Sequence, residues 1–146
     1  MLKKTVTYED FDGNTRTEDL YFFISKAELT EMELSTPGGL SNKLERITKS
    51  ADGKEIMDTF KMIILSAYGE KSEKDGHVMF VKKRDGQRLA DDFVQTLAYD
   101  ALFSELLMNP DKAAAFINGI LPKDLIEQAK KMDGQAKTTG LPSGNN

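Results

Sequence analysis

The strongest helical pattern of apolar positions runs from Thr96 to Pro122. Its first half carries apolar residues three and four positions apart, as one face of an α-helix requires: Tyr99, Leu102, Phe103, Leu106 and Leu107. Asn109-Pro110 interrupts the pattern, because a proline disfavours helical geometry in the preceding residue and asparagine is a good N-cap for a new helix. The spacing then resumes at Ala113, Phe116, Ile117 and Ile120. We predict two short helices, joined by a two-residue hinge and folded back on each other.

The N-terminal segment has the composition of a β-hairpin. Leu2 to Glu9 is rich in β-forming residues and is predicted as a strand. A turn follows, in which Gly13 can adopt the positive φ that a tight hairpin needs. Thr15 to Ile24 is predicted as the second strand, which ends in an apolar run.

Two helices are predicted directly after the hairpin. Ser25 and Glu28 form a capping-box pattern that begins the first helix, and Pro37-Gly38-Gly39 ends it. The second helix is short and carries apolar residues at helical intervals: Leu40, Leu44, Ile47 and Ala51.

A third helix has the longest apolar face before residue 96. Asp52 is predicted as its cap, and Tyr68-Gly69 ends it. Its apolar positions lie at helical spacings: Ile56, Phe60, Ile63, Ile64 and Ala67. We expect this helix, over residues 56–68, to be the centre of the core, packed against the hairpin and the helix that contains Tyr99.

The segment between residues 70 and 95 has weaker patterns. Residues 70–76 are predicted as a charged loop, and residues 77–81 as either a short strand or an apolar plug. The basic run at 82–84 is typical of a solvated turn. Residues 88–95 are predicted as a short helix with three inward side chains: Leu89, Phe93 and Val94.

The predicted fold class is α+β and mostly helical, with an N-terminal β-hairpin plus about six short helices in one domain. We expect the single globular domain to cover residues 1–131, including an amphipathic segment at 123–131. Residues 132–146 lack hydrophobic periodicity and are rich in Gly, Ser, Thr and Asn, so they are predicted as a flexible C-terminal tail.

Composition narrows the classes of function. The net charge is −4 and the pI about 5.1, which disfavours nonspecific nucleic-acid binding because that needs a positive surface. With no cysteine, the chain has no disulfide framework and no thiolate metal site. The N-terminus lacks the apolar segment of a signal peptide, and no apolar run is long enough to span a membrane. We therefore expect no nucleic-acid partner and no membrane partner.

The sequence contains no catalytic motif. The sole histidine, His77, has no visible nucleophile or carboxylate partner and is interpreted as a structural or surface residue. Asp91 and Asp92 point in different directions on a helix, so they are interpreted as a solvated face. No metal site and no cofactor are expected. The chain is therefore expected to act by binding through apolar surface, and not as an enzyme.

Three segments carry a resemblance to a known family: LYFFISKAELTEMELSTPGGL, FKMIILSAYGEKSEKDG and FVQTLAYDALFSELLMNPDKAAAFINGILP. In these segments the chain resembles the tail assembly chaperones of long-tailed, siphovirus-like bacteriophages, over about residues 20 to 125. The resemblance implies a non-enzymatic factor that holds the aggregation-prone tape measure protein and helps to recruit tail tube subunits. It also implies action in the cytoplasm of the infected bacterial host. Self-association and a longer, frameshifted form that carries a tube-binding domain are both left open.

A helix of the tape measure protein is expected to lie in an apolar groove beside the helix pair. The predicted partner-binding residues are Tyr99, Phe103, Leu107, Asn109, Pro110 and Phe116. One alternative is a structural phage protein, in the tail or at the head–tail junction, that is retained in the virion. Another is a small host-takeover or regulatory protein that acts by binding.

Overall fold

In the computed structural model, which describes residues 1–50 and 52–122, the chain opens with two long strands. β1 (Leu2–Glu9) and β2 (Thr15–Phe22) pair antiparallel over their full length. Gly13 lies at φ 81° in the turn between them, which confirms the predicted turn. The first strand has the predicted bounds.

Beyond β2 the backbone is joined to two distant segments. Phe23 donates its N–H to the Ala67 carbonyl oxygen at 2.8 Å, and Ile24 donates to the Ile120 carbonyl oxygen at 2.9 Å. These bonds take the place of hydrogen bonds to a neighbouring strand, so β2 ends at Phe22 and not at Ile24 as predicted. They also bring the ends of two helices to the end of the hairpin.

Three helices follow: α1 (Lys26–Ser35), α2 (Leu40–Ser50) and α3 (Gly53–Ala67). The predicted capping box is confirmed, because the Ser25 hydroxyl accepts from the Glu28 N–H and the Glu28 carboxylate accepts from the Ser25 N–H. These two bonds satisfy backbone donors that the first turn of α1 leaves free.

Asp52 caps α3 as predicted, since its carboxylate accepts two backbone N–H groups of the first turn. The helix ends before Tyr68, also as predicted. The side chain of Ile47 and the whole of Ala51 lie outside the described residues, so their predicted places on α2 stay untested.

The charged segment after α3 is a strand, and the predicted loop over residues 70–76 is wrong. β3 (Tyr68–Lys74) pairs antiparallel with β4 (His77–Val81). Asp75 and Gly76 form the turn between them at φ 52° and 81°. The prediction failed because most side chains of β3 face solvent, so the strand shows no alternation of apolar and polar residues.

The four strands form one sheet in the order β1-β2-β3-β4. β2 meets β3 only through the last two residues of β2. Gly69 permits a close approach at this junction, because a Cβ there would lie 2.6 Å from Cε2 of Phe80 and 2.7 Å from the Val81 carbonyl oxygen. Beyond the junction, residues 70–81 form a two-stranded extension of the sheet, called the arm below.

The remaining described elements are two short strands and three helices: β5 (Lys83–Arg84), β6 (Gln87–Arg88), α4 (Leu89–Phe93), α5 (Leu97–Leu107) and α6 (Pro110–Ile120). β5 pairs with β6, in place of the predicted turn. α4 is shorter than the helix predicted over residues 88–95. α5 and α6 contact each other and confirm the predicted pair.

The predicted amphipathic segment at 123–131 and the predicted flexible tail at 132–146 lie outside the described residues. The assignment of residues 1–131 to a single domain therefore stays a prediction. The described residues share one hydrophobic cluster, to which both strands of the hairpin and α3 to α6 contribute.

The core lies between the inner face of the β1–β2 hairpin and the helices. The largest fully buried side chains are Phe22, Ile24, Ile64, Leu102, Leu106 and Ile120. α3 contributes mainly from its C-terminal half, whereas α5 packs along β1 and buries residues over most of its length. The core is therefore shared between α3 and α5 and not centred on residues 56–68. A sheet with an N-terminal hairpin, plus six helices in the described part, confirms the α+β fold class.

Candidate functional site

A chain of aromatic rings leads from the core to the surface of α5. Phe22 is fully buried and meets the rings of Phe116 and Phe93 edge-on, at centroid distances of 5.0 Å and 6.1 Å. Phe93 meets Tyr99 edge-on at 5.5 Å, and Tyr99 stacks on Phe103 at 5.4 Å. Phe103 is half-buried and ends the chain at the surface. Ring contacts of this kind help to fix α5 against the sheet and α4.

Two of the predicted partner-binding residues lie in the core. Tyr99 is 9% exposed and Phe116 is 3% exposed, so in this conformation both support the surface from beneath. Burial raises the pKa of the Tyr99 phenol. Its hydroxyl is buried without a hydrogen-bond partner among the described residues.

The hinge between α5 and α6 has the predicted N-cap. The Asn109 side chain accepts a hydrogen bond from the Lys112 N–H at 3.2 Å, and Pro110 occupies the first position of α6. Proline is favoured there because its φ suits the helix and its missing N–H is not needed. The cap and the proline together fix the direction in which the chain leaves α5.

An apolar strip runs over this hinge. Phe103 and Leu107 lie one turn apart on α5, half-buried and 41% exposed respectively. Met108 follows at the end of the helix and is 85% exposed, and Pro110 is exposed beside it. We call these residues the corner strip: Phe103, Leu107, Met108 and Pro110. The sequence prediction missed Met108 because it lies off the periodic face, although its position just before the Asn-Pro break marks the end of the helix.

Two ion pairs centred on Glu105 join β1, α5 and α6. Glu105 pairs with Lys4 on β1 at 2.9 Å and with Lys112 on α6 at 3.1 Å. The hydrogen bond from Lys4 is the main reason that the pKa of the Glu105 carboxyl lies below its ordinary value, and the bond from Lys112 adds to it. These two ion pairs tie α5 to the hairpin and to α6.

A second feature is a cavity of about 310 Å³ between α1, the end of α3 and the β5–β6 hairpin. Its apolar lining residues are Met32, Leu65, Tyr68 and Ala90. Its charged lining residues include Glu28, Glu31, Lys82, Lys83 and Arg88. The sequence did not predict this cavity, because its walls come from segments far apart in the chain.

Lys82 joins two walls of the cavity. Its ammonium donates to Glu28 Oε2 and to the Ser66 carbonyl oxygen, both at 2.7 Å. Burial acts to raise the pKa of Glu28, but hydrogen bonds from Lys82 and from the Ser25 N–H outweigh it, so the pKa lies below its ordinary value. The prediction of a solvated turn at 82–84 is therefore wrong for Lys82, whose side chain is only 21% exposed.

The side chain of His77, the residue that catalysis would most readily use, is exposed and forms no hydrogen bond or ion pair with another described side chain. Within residues 1–50 and 52–122 there is no group of three or more side chains placed to hold a metal ion. No helix in that part of the chain combines the length and apolar character needed to cross a membrane.

Comparison with known families adds one match along nearly the whole chain. A family model described as phage tail assembly chaperone matches residues 1–143. The chain belongs to the phage tail assembly chaperone family. This confirms the predicted family and gives the chaperone a general, non-enzymatic role in phage tail assembly inside the infected host cell. Neither a search of curated proteins nor a search of solved structures found a match.

The family match covers more of the chaperone than the resemblance seen in the sequence. It begins at residue 1 and so includes the whole β1–β2 hairpin, which forms one wall of the core. It also includes all of the arm, the cavity and the corner strip. Each of these features therefore lies within the matched part of the chaperone.

Proposed function

We propose that this chaperone binds the tape measure protein during tail assembly and helps to recruit tail tube subunits to it. It acts without catalysis in the cytoplasm of the infected bacterium, and it leaves before the virion is complete. Membership of the family supports the general role. The resemblance of the three sequence segments supports the choice of these two partners.

The corner strip is the surface that we assign to the tape measure protein. The observation that carries this assignment is the exposure of two consecutive apolar residues, Leu107 and Met108, at 41% and 85%, next to a hinge whose direction is fixed. Grouped apolar side chains on a surface are typical of interaction sites. A helical partner with an apolar stripe can lie along Phe103 and Leu107, while the flexible Met108 side chain adapts to its shape.

Tyr99 and Phe116 have a supporting role in this proposal. Tyr99 lies on α5 and Phe116 on α6, and both are buried in the core, so we assign them to holding α5 in position and not to contact with the partner. Asn109 likewise acts by capping α6 and directing Pro110 to the surface. The six residues predicted from the sequence thus divide into a supporting group and a contact group.

Co-expression with the tape measure protein tests the proposed function. We expect the tape measure protein to stay soluble when the chaperone is present and to aggregate without it. Tail tube protein should then be retained on the complex, and purified virions should contain no chaperone.

Equal aggregation with and without the chaperone would contradict the main proposal. Chaperone found in purified virions, in fixed ratio to the tape measure protein, would favour the alternative of a structural virion protein. A soluble tape measure complex that does not retain tube protein would support binding of the tape measure protein and contradict the recruitment of tube subunits.

A further inference from the structure

The arm ends the sheet with an exposed apolar strand. β4 is the last strand in the sheet order, so its outer edge has no strand beside it in the described chain. Its sequence, HVMFV, contains no Asp, Glu, Lys or Arg. Val78 and Met79 are 64% and 39% exposed. An unprotected apolar edge of this kind is a template for pairing with another strand.

The register shows which backbone groups are free to pair. A two-residue turn at 75–76 closes the Lys74↔His77 pair. Hydrogen-bonded and non-bonded pairs alternate along an antiparallel ladder, so the odd-numbered residues of β4 bond to β3. Val78 and Phe80 therefore direct their N–H and C=O groups away from β3, towards the open edge.

The opposite edge of the sheet is protected. β1 carries Lys3, Lys4 and Glu9, and α5 packs along it with an ion pair between Lys4 and Glu105. Charged side chains, lysine above all, and covering helices are how natural sheet edges avoid pairing. Within residues 1–50 and 52–122, β4 has neither protection, although both edges belong to the same sheet. The difference indicates that the β4 edge is available to pair with a strand of a partner.

We propose that β4 pairs with β4 of a second copy of this chain, antiparallel and across a twofold axis at Met79. This register overlaps all five residues of the strand. Val78 and Phe80 of one copy exchange backbone hydrogen bonds with Phe80 and Val78 of the other, while Met79 faces Met79. Because the strand is uncharged, no like charges face each other, and the edge is complementary to itself. The two sheets then continue into one another, as an isologous contact requires.

The contact is small, and that sets its strength. A five-residue strand is about 17 Å long. An interface of this length lies below the roughly 1,200 Å² that stable complexes bury, so we expect a dissociation constant of roughly 0.1–1 mM. Such pairing becomes important where several copies are held close together, because the local concentration is then high. The inference does not depend on the proposed function, since it needs only the chain itself.

Sedimentation equilibrium on the purified full chain tests the pairing, from about 10 μM to about 2 mM. The weight-average mass should rise from 16.3 kDa towards twice that value. Met79→Lys and Met79→Glu should each weaken association at least about tenfold, because each places like charges opposite each other. An equimolar mixture of the two variants should restore association, because lysine then faces glutamate.

Leu34→Lys is the matched control, because Leu34 is 82% exposed on α1 and lies outside the arm. It should associate as the wild type does, and circular dichroism should show all three variants folded. A wild-type mass that stays at 16.3 kDa throughout would overturn the proposal. So would a mixture of folded Met79 variants that fails to associate. A monomeric chain whose Val78 and Phe80 amides are protected only by another tail protein would assign the edge to that protein instead.

Discussion

Replacing Phe22 with leucine removes the ring at the centre of the aromatic chain that supports α5. Phe22 is fully buried and meets the rings of Phe116, Tyr68 and Phe93 edge-on, at 5.0, 5.7 and 6.1 Å. Each such pair contributes about 0.5–1.5 kcal/mol beyond the area it buries. Leucine keeps most of the apolar burial, and the change of shape adds less than about 1.5 kcal/mol. We expect Phe22→Leu to lower the free energy of unfolding by about 2–4 kcal/mol.

Phe23→Leu is the matched control, because it makes the same change at the next residue. Phe23 is half-buried and has one ring partner, Phe80, at 6.3 Å. Its loss should cost about 1 kcal/mol or less. Urea denaturation followed by circular dichroism measures both variants. Equal losses for the two variants, or a loss below about 1 kcal/mol for Phe22→Leu, would refute the central place given to the Phe22 ring.

Two further predictions concern the arm and the cavity. Gly69→Ala should lower the free energy of unfolding by more than about 2 kcal/mol, because its Cβ would lie 2.6 Å from the Phe80 ring. Gly53→Ala is the control, because a Cβ at Gly53 would have nothing within 4 Å. It should be neutral or stabilise the protein by up to about 1 kcal/mol. Equal effects of the two substitutions in urea denaturation would contradict the close approach at Gly69. Glu28→Gln should cost about 1 kcal/mol at about pH 7, a modest value because the Glu28 side chain is 39% exposed. Burial acts to raise the pKa of Glu28, but hydrogen bonds, among them the one from Lys82, hold the pKa below its ordinary value. The contribution of the Glu28 carboxylate to stability is therefore present above the unfolded pKa and is lost as pH falls through the folded pKa. The difference from wild type should therefore shrink towards about pH 3 in urea titrations, and a difference that grows on acidification would be inconsistent with this sign.

Local signals in the sequence predicted the helix ends well. The Ser25 and Glu28 capping box and the Asn109 cap each depend on residues within a single turn, so the chemistry is visible in the sequence itself. Gly13 marks its turn for the same reason, since glycine readily adopts the positive φ found there.

β3 shows where such signals fail. Its residues alternate between two exposed faces, so no apolar pattern distinguishes the strand from a charged loop. What makes Tyr68–Lys74 a strand is its partner, the apolar β4, and the turn at Asp75 and Gly76. The turn was the available signal, because an aspartate–glycine pair between two strands favours a two-residue hairpin.

The candidate site was predictable only in part. The apolar pattern placed Leu107 on the right helix, but periodicity cannot say which members of an apolar face stay exposed. Tyr99 and Phe116 have the same spacing signal and lie in the core. The contact between Lys82 and Glu28 joins residues 54 positions apart, so it depends on tertiary packing and leaves no local pattern.

Co-purification of the tape measure protein with corner-strip variants tests the central proposal most directly. A Leu107→Lys, Met108→Lys double variant places charges on exposed positions of the strip, and Leu34→Lys places one on exposed α1. Exposed positions tolerate such changes, so all variants should fold. If the strip binds the tape measure protein, the double variant should retain it at least about tenfold less well, while Leu34→Lys retains it as the wild type does. Equal retention by the double variant and the wild type would contradict the account.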